Sequence, residues 1–192
     1  SCLEAARLIT AAGYITDPEK ALKAVHKSFH DHGYAMAAFF IDQILDRSLV
    51  ETDYVTFVAN LITPCPETYH YIRNFAGPQV VLSHSNSAWV NAIMTRLELD
   101  EIIPLTHRIA SEDIGHTGKL LSTAPFERAM ALLGDYPADH IVMFEDTAAN
   151  LIHAKALGMR TVLVVKDKNI PKPDYVDYII TRPHEIDALL QN

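Results

Sequence analysis

Between Asp139 and Val165 the chain sets short apolar runs on either side of one polar turn, and the rest of the pattern can be placed around that unit. Ile141 to Phe144 is too short for a buried helix and has the length of a strand covered on both faces. Glu145 and Asp146 follow where such a strand would stop. Thr147 can cap a helix through Leu151, Ile152 and Ala156, Gly158 sits where a left-handed C-terminal residue is wanted, and Arg160 to Val165 reads as the next strand. The unit predicts a right-handed parallel crossover, with both acids at the carboxyl edge of the sheet, where open α/β folds bind ligands.

Ahead of it the periodicity is of two kinds. Residues 3 to 62 read as helices only: Leu3 to Ala12; a helix opened by Thr16-Asp17-Pro18-Glu19 with Leu22, Val25 and Phe29 on its apolar face; and two more over Ala35 to Leu45 and Thr52 to Ile62. Thr63-Pro64-Cys65-Pro66 ends this bundle and is a hinge candidate. From Glu67 helices alternate with strands. The strands are Gln79 to Leu82, Thr106 to Ala110 and Tyr175 to Thr181, and the helices are Glu67 to Phe75, one capped by Ser87, one from Phe126 to Leu133, and Pro183 to Leu190. Ser111 to Ser122 reads as a polar loop. The expected architecture is α/β: a Rossmann-like three-layer parallel sheet over 65–192, with a small helical cap domain over 1–64.

Composition narrows the partners. Hydrophobic residues make up 49% and charged ones 21%, which is globular usage. A formal charge of -8 argues against nucleic acid as partner, yet leaves small anionic substrates open, because one lysine and a metal can outweigh a distant acidic surface. No apolar run approaches the ~18 residues of a membrane span, so a cytoplasmic chain is expected. Cys2 and Cys65 stand in no paired motif, as suits a reducing compartment. No pattern sets an oligomeric state.

Candidate chemistry lies at the predicted sheet edge. Adjacent carboxylates such as Glu145 and Asp146 offer hard oxygen ligands that suit Mg²⁺. Ser85-Asn86 ends an apolar strand and precedes a helix, and a hydroxyl beside a helix N-terminus is a ready anion site. Gly115-His116-Thr117-Gly118-Lys119 is no nucleotide-binding loop, since Asp113 and Leu120 occupy the positions of the first glycine and the hydroxyl residue. His84 beside Ser83 and Ser85 lacks a nucleophile elbow, and His26, His30 and His32 read as a polar helix face.

The wording around the acids, F-E-D-T-x-x-N followed by A-K-A-L-G-M and a valine-rich strand, resembles the fourth motif of the haloacid dehalogenase-like phosphatases. The resemblance implies Mg²⁺ held directly by Asp146 and through water by Glu145, with Asn150 orienting a lysine. It makes Ser85 and Asn86 the phosphoryl-binding second motif. Lys119 becomes the charge-balancing lysine, although it lies seven residues ahead of Phe126 where the family has six. The helical first third occupies the slot of the family's cap, and Asn150 to Gly158 looks most like the pyrimidine 5'-nucleotidase and phosphoglycolate phosphatase subgroups. The implied activity is hydrolysis of a small phosphomonoester, a nucleotide or sugar phosphate.

One family element has no counterpart in these residues: the D-x-D motif whose first Asp attacks phosphorus. Ser1-Cys2-Leu3 would fit its tail, so the nucleophile is expected just before Ser1. The chain as given is then expected to be inactive, poorly folded, and to show either a gap beside the Asp146 strand or another segment inserted there. Two alternatives follow: a non-catalytic phosphate-binding or partner-binding module, and a haloacid dehalogenase, which the acid pair disfavours.

Overall fold

A computed structural model describes residues 2–32, 38–39, 55, 59–114 and 118–190. The expected helices over 35–45 and 52–62 lie mostly outside the described residues, as do Gly115, His116 and Thr117. Helix α1 (Cys2–Ala11) packs on α2 (Pro18–His32) through Ala5, Ala6, Ile9, Ala21 and Val25. Asp17, not Thr16, starts α2: its carboxylate accepts from Glu19 N at 2.9 Å and Lys20 N at 3.2 Å. Phe29, expected on the apolar face, is 53% exposed. Trp89, from the helix after the Ser85 turn, packs against this cluster and ties it to the rest.

Beyond α3 (Pro66–Asn74) the strands are parallel and short. They are β1 (Val81–Leu82), β2 (Arg108–Ile109), β3 (Val142–Glu145), β4 (Arg160–Val164) and β5 (Tyr178–Ile180). They form two sheets, β1-β2 and β3-β4-β5. Among the described residues β1 and β3 each carry a strand on one side only. Burial of β4 shows why its sequence is a continuous apolar run: Val162 joins Ile180 and Ile186 on one face, and Leu163 joins Leu151 and Val176 on the other. Sheet and flanking helices thus make the α/β layering expected.

The connecting helices are α4 (Ser87–Arg96), α5 (Gly118–Leu121), α6 (Ala124–Leu133), α7 (Ile152–Ala156) and α8 (Ile186–Leu190). Gly158 ends the turn after α7 at φ +89°, the left-handed conformation expected of it. Three local expectations change. Asn86, not Ser87, caps α4, its Oδ1 accepting from Trp89 N at 2.8 Å, because Ser87 is already the first helical residue. Thr147 makes no side-chain cap; the segment after it is a 3-10 turn over Ala148–Leu151 before α7 begins. The stretch Ser111 to Ser122 is not all loop, since it holds a 3-10 turn (Ser111–Ile114) and α5.

Candidate active site

The carboxyl ends of β1 and β3 meet at Lys119. Its side chain is 7% exposed, and its ammonium donates to the Glu145 carboxylate and lies 3.4 Å from Leu82 O, the end of β1. A buried ion pair is strongly held once formed, because either charge alone would be stranded away from water. Lys119 therefore bridges the two sheets. Lys119 lies in the short helix α5, where it is buried.

Glu145 is shaped by opposing forces. Burial pushes its carboxyl up, but the Lys119 ammonium outweighs this, helped by the side chains of Asp146 and Asn150, and holds it below the usual range. The backbone N–H groups of Asp146 and Thr147 also donate to Glu145 Oε1, both at 3.2 Å. Asp146 moves the other way: the Glu145 carboxylate beside it, then partial burial, raise its carboxyl. Two adjacent carboxylates that favour sharing a proton would favour a cation in its place. Asn150 is buried and its Oδ1 has no hydrogen-bond partner among the described residues. The Lys119 ammonium is held by Glu145, and Asn150 reaches the same carboxylate through its side chain.

Ser85 is half-buried in the turn between β1 and α4. That turn is fixed by Ser85 N donating to Ser83 Oγ at 3.0 Å and by Ser111 N donating to Ser85 O at 2.9 Å. The structure adds Glu112, whose carboxylate accepts from Ser87 N at 3.1 and 3.2 Å at the start of α4. Nothing local in the sequence signals that contact, since the two residues are 25 apart. His84 is also more than a bystander, as its ring accepts the Lys119 backbone N–H. Among the described residues there is no group of three or more His, Cys, Asp or Glu side chains placed to hold a metal ion. The Glu145-Asp146 pair offers carboxylate oxygens only, the donor type that hard cations such as Mg²⁺ take, with both Glu145 oxygens also accepting from Lys119 or backbone N–H groups.

No protein-family model matches the sequence, and no curated protein matches it. Solved structures do. A crystal structure of a HAD phosphatase from Thermococcus onnurineus superimposes with a TM-score of 0.70 at 14% identity, over 98% of this chain and 87% of that one. This chain has the haloacid dehalogenase-like fold. A conserved haloacid dehalogenase-like protein of unknown function from Agrobacterium tumefaciens str. C58 shares it, with a TM-score of 0.60 at 17% identity over 99% of this chain and 90% of that one. In the haloacid dehalogenase-like fold of this chain, Lys119, Glu145 and Asp146 lie together, the Ser85 turn is tied to them through His84 and Lys119, and Asn150 lies buried behind. No described helix is long and apolar enough to cross a membrane.

Proposed function

We propose that this protein belongs to an Mg²⁺-dependent phosphomonoester hydrolase acting on a small phosphate, such as a nucleotide or sugar phosphate. The observation that carries the reading is the burial of Lys119 against Glu145 at the joint carboxyl edge of both sheets, beside Asp146. Burying a cation and a carboxylate there is costly for a merely structural purpose, and the edge is where α/β sheets place chemistry.

In this reading the Ser85 hydroxyl and the backbone at the start of α4 receive the phosphoryl oxygens, and Lys119 offsets their charge. Asp146 and Glu145 would hold Mg²⁺, which when bound polarises the phosphoryl group and neutralises its charge. Asn150, through its side chain, helps to keep Glu145 ionised for that task. The attacking carboxylate would come from a D-x-D segment, which none of the 192 residues form. A phosphate-binding module without turnover is the second reading, favoured by the absence of a D-x-D segment from the 192 residues.

The test is hydrolysis of p-nitrophenyl phosphate by a chain that carries the D-x-D segment ahead of these residues, alongside calorimetric binding of inorganic phosphate. The hydrolase reading expects turnover that EDTA abolishes and that Asp146→Ala lowers by about 100-fold or more, the scale of losing a catalytic charge-stabilising group. Turnover indifferent to both treatments sinks it. Tight phosphate binding without turnover selects the binding module.

A further inference from the structure

We propose that His84 is a positioning residue of this site, holding the Lys119 backbone through its imidazole Nε2 so that the ammonium reaches Glu145 and the end of β1. The proposal rests on the reading of Lys119 as the lysine that balances phosphate charge. Lys119 N donates to His84 Nε2, and a ring nitrogen that accepts an N–H must be unprotonated, so the ring proton sits on Nδ1. Burial first, and the neighbouring Lys119 ammonium second, hold the His84 pKa down to about 4, which keeps the ring neutral at pH 7.

Steric contact points the same way. Gly118 has φ +67°, and a Cβ there would lie 2.9 Å from His84 Nε2, so the ring is packed directly on the backbone it holds. Helix α5 has four residues, a single turn that cannot hold itself in place. Lys119 is instead pinned at both ends: its backbone on the loop after β1, and its ammonium on β3. Because His84 stands between Ser83 and Ser85, the same hydrogen bond couples the phosphoryl-binding turn to the charge-balancing lysine. The ligand class is a phosphate or phosphomonoester, whose oxygens need both groups at fixed separation.

Two measurements test this on the whole protein. In ¹⁵N-resolved spectra of the wild type at pH 7, His84 is expected as the Nδ1–H tautomer with Nε2 accepting; the Nε2–H tautomer or the imidazolium would overturn the proposal. For His84→Leu, the Lys119 amide should exchange with solvent about tenfold faster and inorganic phosphate should bind about tenfold more weakly, the scale of one hydrogen bond. In His84→Gln the side-chain oxygen can accept the same N–H, so both quantities should stay within about threefold of wild type. Equal losses in the two variants, or no change in His84→Leu, also overturn it. A wild type that binds no inorganic phosphate strikes at the reading of the whole site, whereas the tautomer and exchange results strike at His84 alone.

Discussion

Replacing Lys119 by Met removes the buried cation while keeping most of its volume, and leaves the Glu145 carboxylate at 7% exposure with Asp146 beside it. Two opposed charges about 4 Å apart attract by about 4 kcal/mol at the effective dielectric of a protein. Each also lost several kcal/mol of hydration on burial, so the pair adds little net stability. Losing one partner is different, because the other keeps its desolvation cost without the attraction. The expected loss for Lys119→Met is about 3 to 5 kcal/mol, a large part of a typical domain's 5 to 15. The double variant Lys119→Met with Glu145→Gln removes both charges and should return to within about 1.5 kcal/mol of wild type. Urea unfolding at pH 7 with EDTA present, followed by circular dichroism, measures all four corners of the cycle; EDTA keeps a divalent cation from replacing the lysine. A single variant that costs under about 1 kcal/mol, or a double variant that costs the sum of the singles, would refute the buried-pair argument.

Three further outcomes follow from the geometry. His84 has its folded pKa depressed from 6.5 to about 4, so between those values the unfolded chain takes up a proton that the folded one refuses; stability is full above pH 6.5 and falls as pH drops towards 4. The ring is partly exposed and its one charged neighbour in that balance is Lys119, so after discounting for screening the loss relative to His84→Gln should be about 1 to 2 kcal/mol, read from urea midpoints at pH 7 and 4.5; a wild type that gains on the variant at low pH contradicts it. Gly118→Ala meets both a positive φ and the 2.9 Å approach to His84, whereas Gly134→Ala at φ +96° meets nothing, so thermal unfolding should place the first about 1 kcal/mol or more below the second, and equal melting points would count against the close packing. Thr161→Val strips a fully buried hydroxyl that donates to Tyr175 O at 2.7 Å and lies 3.1 Å from the Asp177 carboxylate, and should cost about 1 to 3 kcal/mol in chemical denaturation; a neutral result would mean the hydroxyl does not hold β4 to the segment before β5.

Local physics was legible in the sequence. Pro18 opens α2, Gly158 closes the turn after α7, and the acids stand at the end of β3, because helix starts, left-handed turns and strand ends depend on residues a few positions apart, although the capping side chains are Asp17 and Asn86 rather than Thr16 and Ser87. The α/β class was legible for the same reason, since strands buried on both faces read as apolar runs and β4 is one. The tertiary structure alone decided who meets whom across the site. Lys119 pairs with Glu145 from 26 residues away, and with His84 from 35, while Glu112 reaches the start of α4 from 25. The periodicity of α2 could not show that Phe29 faces solvent, because what covers a helix face belongs to other segments. Nor could a motif show that Glu145, beside the acid named as the direct metal ligand, takes the lysine. That choice comes from desolvation: with both groups taken out of water at the ends of two sheets, each satisfies its charge on the nearest buried opposite, and only the folded chain sets which one is nearest.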